Sequence, residues 1–352
     1  MTVVRAAREP MLWLVLTLAS AAAVAADTPQ YWLDRMNDAL TTRNYDGVFS
    51  HWQNGRVETL RIVHRVLDGS ITERLESLDG SGRQFVRSGT ELTCYLPDQH
   101  TVLVEKAPPT LMPAGLPKVD SGVGDYYVLQ SEGITRQMGE KAQVISVTPR
   151  DGFRYGYRLW IQRSSGMPLK TELLDTDGTV IEQVVFSSLS LRRHIADQEF
   201  VPQLATAGYH WLREDAAPAT PATPAPPAGP GVWTGAQLPP GFHLAAQTAQ
   251  MMPGVQEPVT HLVYSDGLAT ISVFVQATEI IRSAPNPVRA GVAQVGSSSA
   301  FTSVQSGHKF VALGEVPPAT VRFMIESLMQ QAANQPLGVA PPTSPPAAAP
   351  SP

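Results

Sequence analysis

The sequence predicts an α+β protein in which antiparallel sheets pack against a few helices. Between about residues 45 and 189, short runs of alternating apolar and polar residues are separated by turns such as Asn-Gly and Asp-Gly. This spacing is typical of a meandering antiparallel sheet. A Pro- and Ala-rich segment at 215–231 interrupts the pattern, and a shorter series of strands with a helix follows it. We therefore expect a large domain, a semi-rigid linker and a smaller mixed α/β domain.

Residues 1–26 have the features of a secretory signal peptide. Arg5 and Arg8 give a positive region, and the apolar run after them ends in small residues at Ala26. Cleavage there leaves a mature chain that begins near Asp27. An uncleaved membrane anchor is the alternative, but the apolar run is short for a span. We expect a soluble, exported protein.

The first predicted helix covers residues 29–43. Thr28 followed by Pro29 matches an N-cap with a first-turn proline. Trp32 and Met36, with their apolar neighbours, lie on one face at helical spacing. We expect this face to pack against the core of the large domain.

The predicted domain limits are 27–214 for the large domain and 232–333 for the small one, and a disordered tail occupies 334–352. Strands of the large domain are predicted at 47–52, 57–65, 71–78, 84–87, 91–96, 101–105 and 143–150, with further strands as far as 189. Strands of the small domain are predicted at 258–265, 268–277, 291–296, 300–305 and 309–316. A helix follows Pro317 and Pro318, with an apolar face formed by Val321, Met324, Ile325 and Leu328.

Composition excludes one class of partner and one kind of crosslink. The formal charge is -5 and the pI is near 5.9, and the charges form no basic patch, so nucleic acid is not an expected partner. The chain has one cysteine, Cys94, which forbids an intrachain disulfide. Cys94 shares a predicted strand face with Leu92 and Leu96. A small buried apolar role is favoured over a reactive thiol.

Catalytic and metal-binding patterns are absent from the sequence. It contains no HExxH, Walker or GxSxG motif. The eight histidines are scattered without ligand spacing. Asp175 and Asp177 lack the further oxygen ligands of a calcium loop, so a turn is the favoured interpretation. We expect no cofactor, no metal and no enzymatic activity.

The stretch "DGFRYGYRLWIQRSSGMPLKTELLDTDG" is predicted to form a hairpin with one apolar face. One register keeps the apolar residues of both strands on the same face. It sets Tyr157 opposite Leu173, Leu159 opposite Thr171 and Ile161 opposite Leu169. A curved sheet with this face turned inward would wrap around the first helix. The interior is then either an apolar cleft suited to acyl chains or a core filled by side chains. The candidate pocket residues are Phe153, Tyr155, Tyr157, Leu159, Ile161, Leu169 and Leu173.

The other face of this hairpin is predicted to be solvated. Arg154, Arg158 and Trp160 alternate with the apolar set. The same register places Arg158 across from Glu172 and Trp160 beside Lys170, which suits an ion pair and a cation–π contact. These charges therefore need no catalytic explanation.

Several segments together resemble the MucB/RseB family. They are "MNDALTTRNYDGVF", "ETLRIVHR", "RDGFRYGYRLWIQ", "MPLKTELLDTDGTVIEQ", "LPPGF", "LVYSDGLATISVFV" and "GEVPP". They occur in family order, and the likeness covers residues 31–328. The long Pro/Ala linker and the proline-rich tail depart from the family pattern.

The resemblance implies a lipoprotein-carrier-like N-terminal domain, a half-open antiparallel β-barrel with helices, and a smaller mixed α/β C-terminal domain. It implies a periplasmic regulator that binds the periplasmic domain of a transmembrane anti-sigma factor and shields it from proteolysis. Lipid or lipopolysaccharide is the implied release signal. An interdomain hinge at 215–231 would couple the binding of the anti-sigma factor to the binding of the lipid signal. The alternatives are a periplasmic lipoprotein or lipid carrier and an envelope enzyme. Exposed strand edges make homo-oligomers a further expectation.

Overall fold

A computed structural model of the chain describes residues 28–80, 82–106, 123–213, 233, 237–250, 258–277 and 291–334. The predicted signal peptide and linker lie outside these residues, and so does the predicted tail apart from Asn334. We use "N-terminal part" for 28–213 and "C-terminal part" for 233–334. None of the described helices combines the length and apolar character that a membrane span requires.

The N-terminal part begins with helix α1 (Pro29–Thr42), as predicted. The Thr28 hydroxyl accepts a hydrogen bond from the Tyr31 amide at 3.2 Å, so it satisfies one of the free amides of the first turn. Trp32 and Met36 are buried on its inner side. The predicted amphipathic helix is thus confirmed.

Twelve strands follow α1 among the described residues of the N-terminal part. Their bounds are β1 Tyr45–Gln53, β2 Arg56–Leu67, β3 Ser70–Ser77, β4 Gln84–Ser88, β5 Glu91–Leu96, β6 Thr101–Lys106, β7 Tyr127–Gln137, β8 Glu140–Pro149, β9 Gly156–Gln162, β10 Pro168–Leu174, β11 Val180–Leu191 and β12 His210–Arg213. They form one sheet in the order β12-β6-β5-β4-β3-β2-β1-β11-β10-β9-β8-β7. All pairings are antiparallel except that of β12 with β6. Among the described strands, β7 and β12 are the two edges and do not pair with each other, so the sheet is a half-open barrel rather than a closed one.

Helix α1 fills part of the inner side of this sheet. Its Trp32, Leu33 and Met36 share one core cluster with residues of β7, β8, β9 and β10. Farther along the helix, Ala39 joins a second cluster on the side of β1, β2 and β11. The helix therefore packs across the middle of the sheet, which agrees with the predicted sheet around a helix.

The predicted β9–β10 hairpin is confirmed with one local correction. Tyr157 pairs with Leu173, Leu159 with Thr171, Arg158 with Glu172 and Trp160 with Lys170. The Lys170 ammonium lies 4.3 Å from the centroid of the Trp160 ring.

The predicted pairing of Ile161 with Leu169 is wrong. Ile161 instead pairs with Pro168, because the register shifts between Pro168 and Lys170. Proline lacks the amide that would continue the ladder, and an irregularity at the start of the strand accommodates it.

The residues described in the C-terminal part form six strands and helix α2 (Pro318–Asn334). The strands are β13 His243–Gln250, β14 Val259–Ser265, β15 Thr270–Ala277, β16 Gly291–Val295, β17 Ser298–Gln305 and β18 His308–Gly314. They form an antiparallel sheet in the order β13-β14-β15-β18-β17-β16. The apolar face predicted for α2 is fully buried and packs in one cluster with strand residues such as Leu262 and Phe310.

Candidate functional site

The seven candidate pocket residues do not share one environment. Tyr155, Tyr157, Leu159, Ile161 and Leu173 lie in the core cluster that includes the buried face of α1. Leu169 is buried outside that cluster. Phe153 is half-buried and contacts Phe323 of α2, with 5.3 Å between the ring centroids. Helix α1 thus covers much of the predicted inner face, while Phe153 belongs to the contact between the two parts.

Tyr157 connects the predicted set to a cavity between the two parts of the chain. The cavity has a volume of about 320 Å³. Its lining consists of Tyr157 from β9 and, from the C-terminal part, Leu268, Ala269, Thr270, Ser272, Ser298, Leu313, Gly314 and Glu315. The cavity is therefore formed only where the two parts are docked together.

Arg154 is the centre of the docked contact. Its side chain is 0% exposed, and one guanidinium nitrogen lies 2.5 Å from Oδ2 of Asp266, whose side chain is also 0% exposed. Arg154 also donates to both carboxylate oxygens of Asp151 at 3.0 Å and to the carbonyl oxygen of Pro240. A planar guanidinium with five donors suits such a site better than a single ammonium. We refer to these contacts as the Arg154 junction.

Aromatic rings enclose the same guanidinium. Its central carbon lies 5.2 Å from the Tyr126 ring centroid, 5.4 Å from that of Tyr127 and 5.1 Å from that of Phe242. These distances permit cation–π attraction, which is stronger when the cation is desolvated. The junction therefore compensates a buried charge with an ion pair, hydrogen bonds and ring contacts.

Asp266 performs two tasks in the junction. Its Oδ1 accepts hydrogen bonds from the amides of Leu268 and Ala269 at 2.9 and 2.7 Å, which shapes the turn between β14 and β15. Its Oδ2 accepts hydrogen bonds from the Arg154 guanidinium and from the Tyr127 hydroxyl, the latter at 3.1 Å. The Asp266-Gly267 pair, predicted only as a turn, thus presents a carboxylate to the N-terminal part.

The solvent position predicted for Arg154 is wrong. The prediction continued the strand alternation back to Phe153, but β9 begins only at Gly156 and residues 151–154 form a bend. In this bend Asp151 accepts the Phe153 amide at 3.0 Å. The bend turns Arg154 towards the C-terminal part, where Asp266 neutralises it.

A second polar cluster, the Glu182 network, lies at the same boundary. Glu182 is 2% exposed and accepts hydrogen bonds from Gln53 and Ser297, both at 2.7 Å; His51 Nε2 lies 2.7 Å away. Ser297 precedes β17, so the network joins the two parts. Burial by itself raises the pKa of the Glu182 carboxyl, but the hydrogen bonds and the His51 charge outweigh it and hold the pKa below its usual value.

A glycine allows close approach at the junction. Gly241 has φ +83°, and a Cβ built on it would lie 2.5 Å from the Tyr126 ring. Only glycine combines this left-handed conformation with so short a distance between backbone and ring. Three residues of the segment "LPPGF" therefore take part in the Arg154 junction. Pro240 supplies a carbonyl acceptor, Gly241 lies against the Tyr126 ring and Phe242 supplies a ring beside the guanidinium.

The segments that carry the family resemblance meet at this boundary. Arg154 belongs to "RDGFRYGYRLWIQ", Glu182 to "MPLKTELLDTDGTVIEQ", Asp266 to "LVYSDGLATISVFV" and Glu315 to "GEVPP". The sequence signal for the site was thus present in these segments, but their convergence was not predicted.

The remaining candidates for chemistry have structural roles. Cys94 is buried, and burial followed by the nearby Glu105 charge raises the pKa of its thiol to about 12. Asp175 and Asp177 accept backbone amides within their turn, as predicted. Within the described ranges, no group of three or more His, Cys, Asp or Glu side chains is arranged to hold a metal ion.

Comparison with known proteins places these features in a family. Residues 28–204 match the MucB/RseB N-terminal domain, and residues 228–329 match the MucB/RseB C-terminal domain. The sigma factor AlgU regulatory protein MucB of Pseudomonas aeruginosa is 31% identical over 333 residues, which cover 92% of this chain and 98% of MucB. The sigma-E factor regulatory protein RseB of Escherichia coli K12 is 28% identical over 329 residues, covering 90% and 97%.

Solved structures agree with the sequence comparison. The crystal structure of MucB in complex with MucA(peri) superposes with a TM-score of 0.63 at 29% identity, and covers 85% of this chain and 97% of that one. The crystal structure of MucB gives a TM-score of 0.57 at 29% identity, with 85% and 96% coverage. Because both parts of the chain match, the chain belongs to the MucB/RseB family.

Proposed function

We propose that this chain is an exported, periplasmic regulator that binds the periplasmic domain of a membrane-spanning anti-sigma factor and protects it from regulated proteolysis. One observation carries the proposal: the likeness to MucB extends over both parts of the chain, and that relative was crystallised in complex with MucA(peri). The function is one of binding and requires no catalytic group. The predicted signal peptide supports the periplasmic location.

The docked arrangement supports a partner that contacts both parts. The Arg154 junction and the Glu182 network hold the two sheets in one relative position, so they create a composite surface. A partner that binds this surface favours the docked arrangement by its difference in affinity between docked and separated states. A second ligand that favours separation then weakens the binding of the partner, and the partner weakens the binding of that ligand by the same coupling free energy.

Lipid or lipopolysaccharide is the second ligand in this proposal. An acyl chain would seek the inner apolar face, where Leu159, Ile161 and Leu173 are 0–2% exposed beneath α1. It would therefore have to compete with α1 for that face. This competition is a physical route by which an acyl chain disturbs the docked arrangement, because Tyr155 and Tyr157 link the same core to the C-terminal part.

The test is a pull-down of the mature chain with the periplasmic domain of the MucA homologue from the same genome, with and without lipopolysaccharide. We expect capture without lipopolysaccharide and reduced capture with it. Absence of capture in both conditions would refute the regulatory function.

A tethered variant tests the coupling. Gln53 and Ser297 lie on opposite sides of the boundary with 3.4 Å between their side chains. Cysteines at both positions, joined by a bifunctional thiol reagent, should hold the partner when lipopolysaccharide is added. If the tethered protein releases its partner as readily as the untethered one, separation of the two parts is not the release mechanism.

Self-association through sheet edges is a separate part of the proposal. Strands β7 and β12 are the unpaired edges of the large sheet, and unpaired edges are templates for strand addition. The register of β7 shifts between Ser131 and Gly133, and such bulges hinder edge pairing. We therefore expect β12 to be the edge used, and light scattering of a Trp211→Lys variant, compared with the wild-type chain, tests this.

A further inference from the structure

The cavity between the two parts has a distinct chemical composition. Its apolar walls are formed by the Tyr157 ring, Leu268, Ala269 and Leu313. The polar side chains are those of Thr270, Ser272, Ser298 and Glu315. None of the described side chains that line it is basic. Its volume of about 320 Å³ is at the lower end of the range for ligand pockets, roughly 300–1,000 Å³. It suits one side chain better than a complete lipid.

Glu315 is an exposed acid in the lining of this cavity. Its side chain has no hydrogen bond or ion pair with any residue that the structure describes. Partial burial, followed by the charge of Glu182, raises the pKa of the Glu315 carboxyl, and His51 opposes this effect. The titratable groups around it are therefore Glu182, His51, Tyr155 and Tyr157.

The charges at the cavity distinguish among possible occupants. Glu182 is already saturated by His51, Gln53 and Ser297, so it adds negative potential without offering its hydrogen bonds. A phosphate or a carboxylate would meet this potential unfavourably. A lysine or arginine side chain has an aliphatic stem for the apolar walls and a cationic end for the free carboxylate.

We propose that the interdomain cavity receives a lysine or arginine side chain of the bound anti-sigma factor segment, with its cationic group at Glu315. This inference rests on the proposed function for the identity of the partner. Because the cavity requires both parts of the chain, insertion of the side chain favours the docked arrangement. The pocket would thus make partner affinity depend on docking.

The first experiment compares Glu315→Gln with a matched control. A hydrogen bond to a charged group at a partly exposed site predicts a loss of about fivefold to tenfold in affinity for the partner periplasmic domain. Glu326 on α2 is exposed, so Glu326→Gln makes the same change in net charge away from the cavity and should leave the affinity within about twofold. Calorimetric titration at pH 7 measures both.

The pH dependence provides a second readout. Cation binding requires ionised Glu315, so wild-type affinity should fall as the pH is lowered through the raised pKa of that carboxyl, and Glu315→Gln should lose this part of the dependence. Equal affinity and an equal pH profile for wild type and Glu315→Gln would overturn the pocket assignment while the regulatory function stands.

A small probe tests the pocket without the partner. N-acetyl-lysine methylamide should shift the amide resonances of Ser272, Ser298 and Gly314 in the mature chain, and N-acetyl-norleucine methylamide, which lacks the charge, should not. The shifts should disappear in Glu315→Gln. If norleucine and lysine probes act equally, or neither acts, a cationic pocket is refuted. This result is independent of whether the anti-sigma factor binds.

Discussion

Replacement of Arg154 by methionine should destabilise the folded chain strongly, because it leaves one member of a buried ion pair uncompensated. Arg154 and Asp266 both have 0% side-chain exposure, and their charged atoms lie 2.5 Å apart. Methionine keeps most of the side-chain length but removes the charge and the donors. Asp266 Oδ2 then retains only the Tyr127 hydroxyl. Loss of one partner of a buried pair costs about 3–5 kcal/mol.

The assay is urea unfolding at pH 7, monitored by tryptophan fluorescence. A double-mutant cycle with Asp266→Asn isolates the pair, since asparagine keeps the Oδ1 acceptor of the β14–β15 turn and removes the charge. The double variant should be more stable than the sum of the single changes predicts, because no lone charge stays buried. Arg213→Met is the control, because its ion pair with Glu91 is 64% and 50% exposed and should contribute about 0–1 kcal/mol.

If Arg154→Met lowers the free energy of unfolding by no more than the Arg213→Met control does, this reasoning is refuted. It would mean that water reaches Asp266 or that the two parts separate without cost. A cycle without coupling would lead to the same conclusion.

Three further predictions follow from single contacts. Gly241→Ala should cost about 1–3 kcal/mol more than Gly208→Ala in urea unfolding, since both have φ +83° but only Gly241 faces the Tyr126 ring; equal costs would contradict the close approach. The ionised Glu182 carboxylate stabilises the folded chain fully above its usual pKa of 4.5, and this contribution is lost as the pH falls through its lower folded-state pKa. The Tm of Glu182→Gln should therefore depend less on pH in the acid range than the Tm of the wild-type chain. Cys94, with its pKa raised to about 12, should resist thiol reagents at pH 8 until urea is added, and rapid native labelling would disprove its burial.

Local pattern was sufficient for most of the secondary structure. The N-cap at Thr28, the register of Tyr157 with Leu173 and the apolar face of α2 were all predicted from spacing, because each depends on residues of the same helix or hairpin. Strands β7, β12 and β13 were missed. Most of β7 is exposed at the edge of its sheet, and all four residues of β12 are exposed. Exposed strands have no buried face, so selection for alternating apolar residues is weak there.

The sequence by itself determined both helices, the order of most strands, the alternation of the aromatic face and the family to which the chain belongs. Only the tertiary structure decided which charges are buried. Arg154 and Asp266 are 112 residues apart, and Glu182 and Ser297 are 115 residues apart. Burial of a charge depends on a partner that compensates its desolvation, and that partner comes here from the other sheet. Periodicity reports the local face of a strand, so it could not show that the charged residues of one hairpin meet the turns of a distant one.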